Sequence, residues 1–537
     1  MRTPLLVIGL DGASLDLVRP WAAAGRLPVL ARLMRHGAWG RLRSTMPPAT
    51  FPAWTSMVTG VNPGRHGIFD FSARVPGTYS IRFVNGSHRR APALWTRLTA
   101  AGRRVAVVTV PATYPPEPVA GVMVSGFDSP LALVGRLPFA DFQEVATGPG
   151  WHATALARLR DGITRRTTLA RMLLGRERWD ALMVVFGESD TVAHHFWRFH
   201  DARSPRHAPG PFADAVRRIY EALDTAVGEL IAAAPADAVV AVVSDHGSGG
   251  AGDRIVHLNR RLAECGLLSF ARPTPGARLA GAGRAIALGA MPHRWLGGLV
   301  RRLPAAASRL ESLHRLGGID WRRTVAFSEE LDYHPSVWLN LRGREPEGTV
   351  GPGEYETVRE RVARALLDWS DGGRAVVRRV WRREELYRGP FVASAPDLLV
   401  ELARIDGYSP SCLRSGGAGP AVRRLEPWEH GGGKGRGMNG SHRRHGLFAL
   451  AGPGVRAAGE LPAVDIIDVL PTLLALGGLA VPDSLDGHPI EAALEAPARL
   501  GPDPMSPSPG RPVDYDGGGA RDVRARLTAL GYLEADV

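Results

Sequence analysis

Five apolar runs of strand length, at 5–10, 105–110, 182–186, 239–243 and 447–450, show no apolar–polar alternation. A strand with one wet face alternates, whereas a strand covered on both faces by helices does not. Segments of helical pattern lie between the runs, at 163–174 and 211–233. In the latter, Val216, Tyr220, Leu223, Val227 and Leu230 recur at three- and four-residue steps. These features predict an α/β chain built on a doubly wound, mostly parallel sheet.

At 537 residues the chain exceeds a typical single domain, so one large α/β domain with a substantial insertion is expected. Residues 1–255 and 430–495 read as a discontinuous catalytic domain, and 256–429 as an inserted cap region with some core elements. Within the insertion, a basic amphipathic stretch at 277–313 reads as solvated helices covering the site. WLNLRGREPEG that follows reads as a strand and a turn. Residues 496–519, rich in Pro, Gly, Ser and Asp, read as a linker. The tail 520–537 places Val523, Leu527, Leu530 and Leu533 on one helical face, which predicts that it docks on the body.

Composition narrows the function classes. The formal charge is +13, which fits either an Arg-rich coding bias or an electropositive cleft that gathers anions. No dense basic run interleaved with aromatics occurs, so nucleic acid is not an expected partner. Two cysteines, Cys265 and Cys412, can build neither a disulfide framework nor a thiolate metal cluster. No uncharged apolar stretch reaches the roughly 18 residues of a membrane span. The apolar start is also too short for a signal peptide, so a cytoplasmic protein is expected.

The chemistry gathers where strands end. In open α/β sheets, ligands bind beyond the carboxyl ends of the strands. Asp11 follows VIGL, Asp190 follows VVFGES, and Asp245-His246 follows VVS. Asp190 and His194 share one helix face at a four-residue spacing, whereas His195 and His200 do not complete that pair. Neighbouring residues in a strand face opposite ways, so Asp245 and His246 can serve one site only past the strand's end. Gly247 allows the turn this requires. His442 closes the glycine-rich loop 431–440 and is preferred to His445, which abuts the next apolar run. Thr50 precedes Phe51-Pro52 at a predicted helix start, with Trp54, Met57 and Val58 on the inner face; unpaired N–H groups and the helix dipole favour an anion there. Carboxylates and imidazoles without thiolates suit two divalent ions, Zn best, with Mn or Fe less well matched. A cation beside Thr50 would turn its hydroxyl into a nucleophile.

At these residues the chain resembles the alkaline phosphatase superfamily, and within it the type I phosphodiesterase/nucleotide pyrophosphatase branch. TFPAWTSMVTGVNPGRHGIFDF is similar to that branch's nucleophile segment. SDHG, the Asp190/His194 pair, and Gly-Ser-His-Arg ahead of a strand match in type and order, over roughly 1–255 and 430–490. The resemblance implies one metal ion on Asp190, His194 and His442. It implies a second on Asp11, Asp245 and His246, with Thr50 as nucleophile and ligand. His66 reads as structural, and Arg342 and Arg344 as turn residues or phosphate contacts. Where the branch usually carries Asn, this chain has Ala53, and the expected consequence is a lost contact to a phosphoryl oxygen.

The resulting expectation is a phosphoesterase acting on a small phosphorylated mono- or diester through a phospho-threonine intermediate. The alternatives are a phosphomutase, whose relatives generally use Ser, and a non-catalytic binding protein that keeps the fold. No Cys- or Ser-x-Pro-Ser-Arg segment is present to support a sulfatase.

Overall fold

The computed structural model describes residues 3–129, 150–271, 312, 315–330, 334–430, 438–505 and 512–529. Its central sheet has eight strands, in chain order β1 (Leu5–Leu10), β2 (Ala38–Arg43), β3 (Val105–Val110), β4 (Gly121–Ser125), β5 (Ala181–Phe186), β6 (Val239–Val243), β7 (His445–Ala451) and β8 (Gly459–Asp465). Their spatial order is β8-β2-β7-β6-β1-β5-β3-β4. The five predicted apolar runs are all strands of this sheet.

Side chains of successive strand residues serve opposite faces. Leu6, Ile8 and Leu10 join one apolar cluster with helices Leu15–Ala23, Trp151–Arg176 and Ala215–Ala233. Leu5 and Val7 join a second cluster with helices Thr50–Thr59 and Val469–Leu476. Each fully buried aliphatic side chain contributes about 1.5–3 kcal/mol. Loss of alternation is therefore the expected signature of a sheet covered on both faces.

One strand departs from the parallel rule. β7 runs antiparallel to both β6 and β2. Just past β6 the chain forms a strand, Gly247–Val256, with which Gly440–Arg443 pairs antiparallel. The chain therefore enters β7 beside the carboxyl end of β6, with Phe448 opposite Val243, and must run backwards.

Helix boundaries differ from the sequence reading. The 163–174 pattern belongs to the longer helix Trp151–Arg176, and the helix predicted from 211 begins at Ala215. Within 256–429, strands Ala326–Phe327, Ser336–Leu339, Leu398–Leu402 and Val377–Arg382 form a small antiparallel sheet. With helices Leu258–Glu264 and Tyr355–Leu367 it buries an apolar cluster of its own. The predicted basic stretch lies, apart from Ser312, outside the described residues, as do 431–437 of the glycine loop and 506–511 of the linker.

The tail does dock. Helix Gly517–Ala529 buries Val523 and Leu527 against Phe51, Ile68 and Phe71. Leu530 and Leu533 lie outside the described residues. Among the described residues, no helix is long and apolar enough to cross a membrane.

Candidate metal centre

Six side chains from four distant segments meet at the carboxyl end of the sheet. Asp11 follows β1, while Asp190 and His194 sit in the first two turns of helix α1 (Glu188–His200), which follows β5. Asp245 and His246 follow β6, and His442 lies on the Gly440–Arg443 strand. All six are buried. Ligand atoms of Asp190, His194 and His442 lie within 4.8 Å of one another, as do those of Asp11, Asp190 and His246. Asp190 thus faces both groups, a sharing that the sequence reading did not anticipate. The Nε2 atom of His246 stands 3.4 Å from an oxygen of Asp11 and 3.4 Å from one of Asp245.

The backbone turns that aim these groups are fixed locally. Gly12 has a left-handed φ of 65°, and a Cβ there would come 2.8 Å from Asp190 Oδ1. Its N–H donates to Asp245 Oδ1 at 3.1 Å. Ser189 Oγ donates to the Asp11 carbonyl at 2.6 Å and Ser248 Oγ to the Gly12 carbonyl at 2.7 Å. A Cβ on Gly440 would meet the Ala193 carbonyl at 2.2 Å, so only glycine lets this strand lie against α1.

Each imidazole is set by its other nitrogen. His194 Nδ1 lies 3.2 Å from the Gly440 carbonyl, His246 Nδ1 3.1 Å from the Gly247 carbonyl and His442 Nδ1 2.7 Å from the Pro48 carbonyl. A carbonyl only accepts, so all three rings carry hydrogen on Nδ1 and turn an Nε2 lone pair inward. The Nε2 atoms of His194 and His442 then face each other at 3.0 Å. Two lone pairs at that distance repel unless a cation lies between them. Asp11 Oδ1, Asp245 Oδ2 and His246 Nε2 are buried without a hydrogen-bond partner. Buried polar atoms rarely stay unsatisfied, and this donor set of oxygens and imidazole nitrogens fits divalent cations.

Charge agrees with that fit. Burial, and then the carboxylates of Asp245 and Asp190, push the Asp11 carboxyl well above its ordinary range. Burial likewise raises Asp245. Burial and the neighbouring His246 ring push His442 well below the usual imidazole value, which keeps it neutral. Crowded carboxylates beside the neutral His442 ring form a site of negative potential, as cation binding requires.

Thr50 is the first residue of helix α2 (Thr50–Thr59) and is fully buried. Ala49 rather than Thr50 is the cap, and no side chain caps this helix start. Two hydrogen bonds bracket the threonine. Pro48, two residues before it, accepts from His442, and Trp54, four residues after it, donates through Nε1 to Asp11 Oδ2 at 3.0 Å. Gly9 makes the second bond possible, because a Cβ there would lie 2.3 Å from the Trp54 ring. The sequence reading assigned Trp54 to the core and missed this contact, since nothing local distinguishes a packed indole from one that also holds a ligand.

The remaining candidates separate cleanly. His66 is structural: its Nδ1 accepts from the Ile68 N–H, its Nε2 lies 2.9 Å from Ser56 Oγ, and burial holds its pKa down to about 3. His195 packs edge-on against Trp151, and His200 against Trp21 and Trp197. His445 lies on β7 opposite Arg43, away from the ligand groups. Arg344 is not a phosphate contact, because its guanidinium is committed to Asp397 at 2.6 Å and Glu345 at 2.9 Å. Arg342 is exposed in the turn. Ala53 packs wholly inside the apolar cluster beneath the sheet.

A covered, mostly parallel sheet with acids and imidazoles at its strand ends makes this an α/β protein with a candidate metal centre. A sequence model of the type I phosphodiesterase / nucleotide pyrophosphatase family matches residues 5–416, and the chain belongs to that family. The match extends across the region read as an insertion and ends before His442. Human ectonucleotide pyrophosphatase/phosphodiesterase 5 superposes with a TM-score of 0.51 at 12% identity, covering 92% of this chain and 100% of that one. At that identity the likeness speaks to fold alone. Ectonucleotide pyrophosphatase/phosphodiesterase family member 1 from human is 32% identical over 83 residues, which is 15% of this chain and 9% of that protein's length. The rat protein aligns to the same extent.

Proposed function

We propose that this chain is a metal-dependent phosphoesterase that cleaves phosphate mono- or diesters through a phospho-threonine intermediate on Thr50. The observation that carries this reading is the bracketing of Thr50 by the Pro48–His442 and Trp54–Asp11 bonds, which tie the helix start to both halves of the buried cluster. Asp190, His194 and His442 would hold one divalent cation, and Asp11, Asp245, His246 and Thr50 the other; zinc suits the donors best. Such a pair, when bound, lowers the pKa of a hydroxyl and neutralises charge on the attacking and leaving oxygens.

Within this frame the Thr50 hydroxyl gives up its proton to solvent as its oxygen attacks phosphorus in line, and the bond to the leaving alkoxide breaks as the alkoxide takes a proton from solvent. Water then attacks phosphorus from the opposite side, releasing phosphate, or a phosphomonoester from a diester, and restoring the threonine. The uncapped start of α2 favours the anion throughout. The buried site keeps bulk water from competing for the substrate's charge.

The test is Thr50→Ala, assayed on mono- and bis-nitrophenyl phosphate with metal analysis of the same sample. Turnover should fall on the order of a thousandfold or more while both cations remain. Unchanged turnover would reject Thr50 as the nucleophile.

A further inference from the structure

The start of α2 is held in place without a capping side chain. Ala49 offers no acceptor there, so the position of Thr50 depends on what its flanking residues pack against. The bonds through Pro48 and Trp54 lead to the metal ligands. The remaining hold is apolar. Both chain neighbours of Thr50, the fully buried Phe51 and the partly buried Ala49, join an apolar cluster distinct from the two that cover the central sheet. The Phe51 ring lies 4.5 Å from that of Phe71 and 5.6 Å from that of Phe127, centroid to centroid. Ala520, Val523 and Leu527 of helix Gly517–Ala529 complete this cluster, all three buried.

Chain ends are poorly ordered unless tied down, and polar bonds tie this one to the same ground. Arg526, itself buried, donates to the carbonyls of Phe127, at 2.8 Å, and Ser129. The backbone of Phe127 thus holds the helix while its ring touches Phe51. On the approach to the helix, Tyr515 Oη donates to the Asp128 carbonyl at 2.8 Å, and the Tyr515 ring stacks on Tyr114. Val513 accepts from Asn85 Nδ2 at 2.9 Å and donates through its N–H to Ser87 Oγ at 2.8 Å. A close-packed interior transmits displacement rather than absorbing it. Loss of the helix would therefore be felt at Phe51, one residue from the proposed nucleophile. The six metal ligands come from other segments of the chain and do not depend on the helix.

We propose that the C-terminal helix is a regulatory strap on the nucleophile segment. Docked, it packs Phe51 and Ala49 so that the Thr50 oxygen stands in line for attack. Released, it lets that segment relax, and turnover falls while both cations stay bound. Phe51, Val523 and Leu527 are then positioning residues, acting through Thr50 rather than on substrate. This inference rests on the reading of Thr50 as the nucleophile.

Leu527→Asp, made in the full zinc-loaded chain, puts a carboxylate into the apolar cluster and should release the helix, seen as faster proteolysis after Pro512. On bis-nitrophenyl phosphate, kcat per bound cation pair should fall on the order of ten- to a hundredfold, as a small misplacement of a reacting group predicts. KM and zinc content should stay near wild type. A synthetic peptide of residues 512–529, added to this variant, should restore part of the lost kcat. A merely structural defect would lower the amount of folded protein and would not be repaired in trans. Leu527→Ala is the second, milder variant and should show the same split at severalfold. Wild-type kcat in a variant whose helix is released, a rise in kcat, zinc loss in step with activity, or a loss that the peptide leaves unrepaired would overturn the strap. Wild-type turnover in Thr50→Ala would instead overturn the nucleophile on which it rests.

Discussion

Trp54→Phe separates the metal-centre account from simple core repair. The indole N–H donates to Asp11 Oδ2 at 3.0 Å, and both residues are buried, at 0% and 2% exposure. Phenylalanine keeps an aromatic ring but removes the donor, leaving a carboxylate oxygen buried without a partner. A hydrogen bond to a charged group is worth about 1.5–3 kcal/mol, so stability should fall by that order. The more telling effect concerns cation binding. Contacts that orient a metal ligand typically support 10–100-fold in affinity, and Trp54 touches only the Asp11 half of the cluster. Under chelator competition, tightly held metal should drop from two equivalents to one, with the Asp190–His194–His442 cation retained. Trp95→Phe is the control. Trp95 lies in the same apolar cluster, but its Nε1 reaches Glu117. That variant should lose stability and keep both cations. Equal metal retention in the two variants would refute the reasoning.

His66 gives a prediction about pH. Its pKa falls from 6.5 unfolded to about 3 folded, so the unfolded chain binds the extra proton between those values. Its contribution is fully present above pH 6.5 and is lost by about 1.4 kcal/mol per unit as pH falls toward 3; His66→Gln should flatten the stability curve in that window, and an unchanged curve would exclude His66 as its source. Leu527→Ala removes a fully buried side chain from the contact with Phe51. It should weaken tail docking by about 2–5 kcal/mol, read as faster proteolysis of the C-terminal helix, whereas wild-type cleavage rates would contradict that docking.

Much of this architecture could be read from residue order. The strands at Leu5–Leu10, Val105–Val110 and Val239–Val243 have the predicted bounds because burial on both faces leaves an unbroken apolar run between polar ends. Placing an acid after such a run located Asp11, Asp190 and Asp245, since strand ends converge wherever strands run parallel. The direction of β7 was not legible, because an apolar run carries no sense of direction. The sharing of Asp190, the Trp54–Asp11 bond and the Pro48 carbonyl on His442 were hidden for a different reason. Each depends on which segment is brought alongside which, and only the tertiary fold decides that.

The proposed chemistry requires a pair of cations gripped by side chains from distant parts of the chain beside Thr50. Anomalous diffraction at the zinc edge, on crystals grown with zinc, tests it most directly. Two peaks roughly 4 Å apart are predicted, one among Asp190, His194 and His442 and the other among Asp11, Asp245 and His246. A cluster with no peak, or with density on one triad and a hydrogen-bonded, metal-free arrangement on the other, would contradict it.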